Sequence, residues 1–315
     1  MTEDPQPYLT YYTSQCQLAL YDSGRHCSAR QHQDITDVII FIRQSFHFDA
    51  ILQTLRNKYQ NHVPQVPEPA MRRTIELAAR IVTMHEIGKW QGTAPNQDRL
   101  VWDAGPLSNC LIGHYTAPAL DGKVKLGEKL FNAVSLEKIA GFEIVWTNNI
   151  AEHLRLRDDG TLTVFPHATF LKAQIDYHHE HQFPPGFIRE TLSTLALLFP
   201  QHNREVGRWI SKQRRERQRQ GEHLDDQLQA CGVLSQDERQ LKNFIHWRDR
   251  LQDLKQSFDD AEPQTPGQWW NDRRKRVQWW TFWVAAIALL STVFFSAVQS
   301  VEGAIQVYKA YHPHS

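Results

Sequence analysis

The stretch that decides the architecture is VQWWTFWVAAIALLSTVFFSAVQSV, at positions 277–301, which contains no charged side chain. The part from Trp279 to Val301 would extend about 34 Å as a helix, against a hydrocarbon core of ~30 Å. Ten of its side chains are Leu, Ile, Phe or Val, and each favours insertion by roughly 0.3 to 0.6 kcal/mol. The stretch is apolar on every side, whereas a long core helix keeps one polar face. It therefore predicts one transmembrane helix over 279–301.

The flanking residues predict how this helix is oriented. Four basic residues precede it, and the tail after Val301 contains only Glu302 and Lys309 as charged side chains. The positive-inside rule then places the N-terminal side in the cytosol. The topology-setting residues are Arg273, Arg274, Lys275 and Arg276. The aromatic residues expected at the two headgroup levels are Trp279, Trp280 and Trp283 on one side and Tyr308 and Tyr311 on the other.

The position of the span in the sequence adds further expectations. A span this close to Ser315 is still inside the ribosome when synthesis ends, so we expect insertion after translation, as in tail-anchored proteins. The opening residues, MTEDPQPYLTYYTSQ, lack the basic and apolar regions of a signal peptide. The modest basic content after the span favours the endoplasmic reticulum over the mitochondrial outer membrane. The sequence thus predicts a single-pass membrane protein with a cytosolic N-terminus.

Small side chains recur at every fourth position of this segment. They are Ala288, Thr292, Ser296, Ser300 and Ala304. Such a ridge lets helix backbones approach closely in lipid, where packing drives association. Two interpretations stay open: a protein partner or a second copy packs on the ridge, with Leu290, Phe294 and Phe295 facing lipid, or the ridge reflects the general abundance of small residues in membrane helices.

The rest of the chain has the composition of a soluble protein. Its 35 basic and 35 acidic residues balance, and the mean hydropathy is −0.53. No global charge therefore indicates nucleic acid or an acidic substrate as the partner. The four cysteines form no C-x-x-C pair, which predicts reduced thiols in a cytosolic domain.

Hydrophobic periodicity predicts a mainly α fold, in which a helical cytosolic domain with a small α+β, hairpin-containing module precedes the membrane helix. The predicted segments are a flexible N-terminus at 1–34, the helical domain at 35–200, a charged and heptad-like helical segment at 201–262, a hinge and basic juxtamembrane segment at 263–278, the span at 279–301 and a tail at 302–315. Helices are expected over 36–46, over 49–59 with Asp49 as N-cap, over 70–88 with Gly88 as the stop, and over 107–115, 184–200 and 204–219. A short strand is expected at 99–102.

The module at 135–165 predicts a helix, a strand, a second helix within TNNIAEHL (147–154) and a hairpin around Asp158-Asp159-Gly160. Helix, helix and hairpin is the order of a winged helix, which raises a nucleic-acid hypothesis. Two features oppose it: a strand separates the helices, and TNNIAEHL contains no Arg or Lys to reach bases or phosphates.

The segment 204–219 holds seven basic and two acidic residues. Its basic side chains predict either contact with anionic lipid or a solvated helix face. Further on, the segment 238–263 predicts a final helix with apolar residues at heptad-like spacing, either a coiled coil or a helix docked on its own domain. The spaced residues are Phe244, Trp247, Leu251, Leu254 and Phe258.

The sequence contains no phosphate-binding glycine loop, no G-x-S-x-G and no H-E-x-x-H. The sequence therefore identifies no catalytic residue, metal site, cofactor or small-molecule substrate, which favours a function other than catalysis. The single metal-like cluster, His178, His179 and His181, predicts a surface turn, because the three cannot converge on one ion from a helix. His153 and His167 flank the hairpin and are expected to form hydrogen bonds within the core.

Two blocks, FNAVSLEKIAGFEIVWTNNIAEHLRLRDDGTLTVFPHATFL (131–171) and EPQTPGQWWNDRRKRVQWWTFWVAAIALLSTVFFSAVQSVEGAIQVYKAY (262–311), resemble a group of uncharacterised proteins of filamentous ascomycete fungi with one C-terminal transmembrane segment. The resemblance covers roughly residues 70–311 and implies no activity or catalytic residue. The juxtamembrane tryptophans are also similar to those of fungal CorA-like metal-ion transporters. This chain has one span and no G-M-N pore motif, which argues against a pore.

Three functional hypotheses follow. The first is a tail-anchored adaptor or scaffold whose cytosolic domain binds proteins. The second is a membrane-tethered enzyme, which requires a deep pocket with clustered His, Asp or Glu. The third is a tethered nucleic-acid binder, which requires an exposed basic face on the 135–165 module.

Overall fold

The structure is a computed structural model that describes residues 6–20, 26–62, 65–88, 99–115, 126–127, 131–261 and 276–311. It is mainly helical, with a small three-stranded sheet and a long apolar helix near the C-terminus, which confirms the predicted fold class. The chain divides into two units. The main unit comprises Met1–Glu137 and Phe142–Asp260, and the second unit comprises Lys138–Gly141 and Ala261–Ser315.

The first part of the main unit is built around one central helix. Helices α1 (Gln6–Leu20), α2 (His32–Arg43) and α3 (Phe48–Tyr59) all pack on α4 (Glu68–Thr83). The side chains of Thr74, Ile75, Ala78 and Ala79 on α4 are completely buried. Small and β-branched residues on this face let three helices approach the same axis closely.

The flexible N-terminus predicted at 1–34 contains a helix, α1, over residues 6–20. The phenolic hydroxyl of Tyr11 donates to Arg80 O at 3.2 Å, and that of Tyr8 donates to Ile81 O at 3.0 Å. These carbonyls lie in the last turn of α4, where helix carbonyls have free acceptor capacity; Arg80 O also accepts from Met84 N at 2.8 Å. Tertiary hydrogen bonds thus stabilise a helix whose own apolar periodicity is weak.

Two predicted helix boundaries are also wrong. The N-cap of α3 is His47, and Asp49 lies in its first turn, where a carboxylate still favours the helix dipole. Helix α4 ends at Thr83, because Met84 adopts the left-handed conformation with φ 49°. Gly88, the predicted stop, lies beyond that end. The strand predicted at 99–102 is reduced to an isolated bridge between Leu100 and Ile87.

Helix α5 (Leu107–Tyr115) has the predicted bounds, and α6 covers Ala133–Ala140. The sheet has the order β1 (Glu143–Trp146), β3 (Thr161–Val164), β2 (Arg155–Leu156). Strand β1 runs parallel to β3, with Trp146 opposite Val164, and β2 runs antiparallel to β3, with Leu156 opposite Leu162. The predicted hairpin is confirmed, and its turn uses Gly160 at φ 82°.

The predicted second helix of this module is a single 3-10 turn at Ile150–Glu152. Asn149, directly before this turn, accepts a hydrogen bond from Ala151 N at 3.1 Å. All three residues of the turn are buried. The module therefore presents no recognition helix in this segment.

The remaining helices of the main unit are α7 (Ala168–Asp176), α8 (Phe187–Leu198), α9 (Arg204–Arg219) and α10 (Arg248–Asp260). The helix predicted over 238–263 begins only at Arg248 and is preceded by a 3-10 turn at Leu241–Asn243. The five heptad-spaced residues, Phe244, Trp247, Leu251, Leu254 and Phe258, are at most 1% exposed. This helix is therefore docked on its own domain.

Helix α11 (Arg276–Tyr311) belongs to the second unit and contains 36 residues. Residues 263–275 of the hinge predicted at 263–278 lie outside the described residues.

Candidate membrane anchor and the polar networks of the main unit

The candidate functional element of the second unit is α11. Within the described residues it is the one helix that is long and apolar enough to cross a membrane, over Trp280–Tyr308, and none of its most apolar window is buried. A helix of these 29 residues is about 43 Å long, which exceeds the ~30 Å hydrocarbon core. Large apolar side chains such as Leu290, Phe294 and Phe295 are more than 60% exposed. Such an apolar surface is stable in lipid, whereas its exposure to water is energetically unfavourable.

Two hydroxyl groups of α11 form hydrogen bonds within the helix. Thr292 Oγ1 donates to Ala288 O at 2.8 Å, and Ser300 Oγ donates to Ser296 O at 2.9 Å. A hydroxyl that is satisfied by the preceding turn avoids most of the cost of entering hydrocarbon. Thr292 and Ser300 are therefore compatible with a membrane environment.

The ridge residues Ala288, Thr292, Ser296, Ser300 and Ala304 all lie on α11 and are exposed. Successive members are rotated by about 40° around the helix, so the ridge winds slowly along one side. No contact among the described residues tests the predicted interface.

The residues predicted to set topology lie around the start of α11. Arg273, Arg274 and Lys275 are outside the described residues, and Arg276 is the first residue of the helix. The side chains of Arg276 and Trp279 are also outside the described part. Trp280, Tyr308 and Tyr311 are exposed near the two ends of α11.

A buried histidine organises the centre of the main unit, as the sequence predicted. His153 is completely buried, and its Nδ1 accepts a hydrogen bond from Phe165 N at 3.1 Å. The neutral ring therefore carries its proton on Nε2, which lies 2.7 Å from Thr194 Oγ1. Burial, reinforced by the positive charge of Arg250, lowers the pKa of His153 to about 3. The ring is thus neutral and structural at physiological pH.

Arg250 and Glu190 complete this centre through backbone groups. The guanidinium of Arg250 donates to the carbonyl of Ala151, within the turn Ile150–Glu152, and to that of His153, which directly follows the turn. The carboxylate of Glu190 accepts from Ile245 N at 2.9 Å and from Trp247 N at 2.8 Å. Glu190 therefore caps the start of α10 from another helix. Sequence reasoning missed both residues, because neither spacing nor motif marks a cap that is distant in the chain.

A second buried polar group joins the start of α7 to a later segment. Asp225 is 1% exposed and accepts from Thr169 N at 2.7 Å, Thr169 Oγ1 at 2.8 Å and Gln227 N at 2.8 Å. Burial raises the pKa of this carboxyl despite those donors. Nearby, His167 Nε2 lies 2.7 Å from Asn148 Oδ1, and burial lowers the pKa of His167 to about 3. The predicted core hydrogen bonds of both histidines are confirmed.

An open groove of about 540 Å³ lies between the start of α8 and the residues before α10. Its acidic residues already accept hydrogen bonds within the fold: Glu190 caps α10, Glu238 accepts from Ser235 N at 2.7 Å, and Asp237 accepts from Gln240 Nε2 at 3.2 Å. His246 places Nδ1 3.3 Å from Tyr115 O and Nε2 3.2 Å from Pro185 O. The groove thus offers charged walls for binding, and its carboxylates are engaged in hydrogen bonds within the main unit.

The histidine-rich turn lies on the surface and is tied to α2. His178 has φ 53°, and His181 places Nε2 2.9 Å from Arg43 O and Nδ1 3.1 Å from His178 O. Both ring nitrogens of His181 therefore face carbonyl oxygens. Among the described residues, no group of three or more His, Cys, Asp or Glu side chains is arranged to hold a metal ion. All four cysteines are free thiols, as predicted.

Comparison with protein-family models, curated proteins and solved structures finds no match to this chain.

Proposed function

We propose that this chain is a single-pass, tail-anchored membrane protein whose main unit faces the cytosol. The observation that carries the proposal is α11, a helix with an apolar surface of membrane-spanning length. The basic residues at 273–276 support a cytosolic N-terminal side. The low basic content after the span supports the endoplasmic reticulum as the location.

The test adds an Asn-x-Thr glycan acceptor after Ser315 and follows insertion into microsomes. We expect glycosylation of the acceptor and resistance of the protein to carbonate extraction. The variant Leu289→Lys/Val293→Lys should abolish both, because two lysines at the centre of a span cost roughly 5 to 7 kcal/mol, against about 3 to 6 gained from the apolar residues. The control Gln306→Lys, near the end of α11, should insert normally. Release of the unaltered protein by carbonate would exclude an anchor.

We propose further that the main unit is a protein-binding adaptor or scaffold held at the membrane. Its buried polar groups serve the fold, whereas the groove between α8 and α10 is open and lined by charged side chains. A photo-crosslinking residue in place of Ser193, on the groove, should give one discrete adduct in isolated membranes. The same residue in place of Thr54, exposed on α3, should give none. Equal yields from both positions would remove the groove from the proposal.

The ridge on α11 suggests that the partner in the membrane is a second copy or another helix. Ser296→Ile adds bulk to the ridge and should weaken self-association. Self-association is measured in vesicles by chemical crosslinking with a reagent that does not react with cysteine. Phe295→Ile, one position away and off the ridge, should leave it unchanged. We also propose that the chain belongs to the fungal group that it resembles, which predicts that members share both blocks and the span.

A further inference from the structure

Helix α9 carries a stripe of exposed cations along its outer face. With about 100° of rotation per residue, five basic residues fall within an arc of about 80° and extend over about 22 Å of the helix. All five are exposed. We call them the α9 stripe: Arg204, Arg208, Lys212, Arg215 and Arg219.

The opposite face of α9 fixes the stripe to the main unit. Val206, Trp209 and Ile210 are buried, and they point about 150° away from the middle of the stripe. The indole ring of Trp209 stacks on Phe199 at 6.1 Å between centroids, and its Nε1 donates to the carboxylate of Glu137. The stripe is therefore presented on a helix that is held rigidly.

The ion pairs of α9 divide its cations into two groups. Arg214 pairs with Asp226 at 3.1 Å, and Arg217 pairs with Glu222, and both lie off the stripe. On the stripe, Lys212 lies 4.0 Å from Glu216. Its four arginines form no ion pair with any carboxylate in the described part of the chain. In a chain with no net charge, this is a local concentration of uncompensated positive charge.

The position of the stripe relative to α11 in the sequence decides which leaflet it can meet. The segment 220–261 contains no candidate span, and 262–275 is too short and too charged to form one. The stripe and the basic residues at 273–276 therefore lie on the same side of the membrane. The segment 261–275 reaches at most about 50 Å, so the main unit stays tethered to the bilayer that α11 enters.

We propose that the α9 stripe docks the main unit on the anionic headgroups of the leaflet next to residues 273–276. This inference rests on the proposed membrane anchor. Each basic side chain near an anionic surface strengthens attachment by about fivefold. Because α11 already confines the unit to the membrane, docking is an intramolecular step and needs only a few such contacts.

The test measures the modification of arginine side chains by phenylglyoxal in the full chain, inserted into vesicles and analysed by mass spectrometry. One set of vesicles is phosphatidylcholine, and the other contains phosphatidylserine in roughly a 3:1 mixture that mimics an anionic leaflet. Modification of Arg208 and Arg215 should slow by roughly fivefold or more in the anionic vesicles and recover in ~1 M NaCl, where the Debye length is about 3 Å. Arg157, an exposed residue away from α9, serves as the internal control.

Two variants test whether protection depends on the α9 stripe itself or only on the total positive charge of the main unit. Arg208→Gln/Arg215→Gln should weaken docking by about 25-fold and remove the protection of Arg204 and Arg219. The matched variant Arg157→Gln/Lys242→Gln loses the same charge and should keep that protection.

Each result supports or overturns the proposal. Protection that depends on phosphatidylserine and is lost in the stripe variant supports it. Equal modification in both vesicles, with the protein still resistant to carbonate, overturns docking and leaves the anchor in place. Release by carbonate from both vesicles overturns the anchor and docking together. Protection by added polyuridylate in neutral vesicles, and none by phosphatidylserine, assigns the stripe to nucleic acid and overturns the lipid proposal.

Discussion

Acid should destabilise the main unit at a pH where most carboxylates are still ionised. His153 and His167 are buried as neutral rings, each with a pKa of about 3 in the folded state, against about 6.5 in an unfolded chain. The unfolded state therefore takes up a proton at each site below pH ~6.5, and the folded state does not. Stability is complete above the unfolded pKa and falls as the pH drops towards the folded pKa.

The magnitude follows from the two pKa values. Between pH 8 and pH 5, each site lowers the free energy of unfolding by about 2 kcal/mol, so the pair lowers it by about 4 kcal/mol. This loss is large beside the total stability of a typical domain, which is on the order of 10 kcal/mol. The structure supplies the cause at His153, where a proton on Nδ1 would point at the N–H of Phe165 that now donates to it.

The assay is urea unfolding of the full chain in a non-ionic detergent, followed by near-ultraviolet circular dichroism at several pH values between 5 and 8. His153→Asn keeps an acceptor for Phe165 N and removes the titrating group, so it should cut the pH dependence by about half. The exposed His202→Asn variant should leave it unchanged. If the unaltered protein were equally stable at pH 5 and pH 8, or if His153 titrated near pH 6.5 in the folded state, the reasoning would be refuted.

Three further predictions concern the polar contacts of the main unit. Glu190→Gln should lower the free energy of unfolding by about 2 kcal/mol, because one of the two backbone N–H donors then faces the amide NH2 group and the other keeps only a neutral acceptor, whereas Ser193→Ala on the same helix should change it little. Asp225→Ala should cost about 3 kcal/mol by leaving two backbone N–H groups unsatisfied, and Asp225→Asn should cost less, since it retains an acceptor and removes a buried charge. Tyr11→Phe should cost about 1 kcal/mol through the lost hydrogen bond to Arg80 O and should increase hydrogen exchange in α1. Urea unfolding checks the first two, and a Tyr11→Phe protein with unchanged exchange in α1 would contradict the third.

Local patterns predicted the elements whose stability is local. Helix α5 has the predicted bounds, and the hairpin forms around Asp158-Asp159-Gly160, because apolar spacing and turn residues agree there with the final fold. The span was also visible, because a long apolar helix needs no neighbour to be recognised. The burial of His153 was predicted from its position beside the hairpin.

Tertiary contacts decided what the sequence could not predict. The apolar periodicity of α1 is weak, and the helix is stabilised by tyrosine hydroxyls that donate to carbonyls at the end of α4. The predicted helix over 238–263 starts late, because Glu190 accepts the N–H groups of Ile245 and Trp247 and fixes the start of α10 there. Partners that are so distant along the chain leave no signature in a local window.

If α11 spans the bilayer as proposed, its length predicts that its one acidic residue lies at the edge of the hydrocarbon region. The helix continues to Tyr311, beyond the predicted end of the span at Val301. The rise along the helix from Trp280 to Glu302 is about 33 Å, which is close to the ~30 Å hydrocarbon thickness. Charge is tolerated at that depth far better than at the centre. The hydrocarbon segment is therefore expected to end near Val301, so that Ala304 lies at headgroup level and the ridge within lipid runs from Ala288 to Ser300.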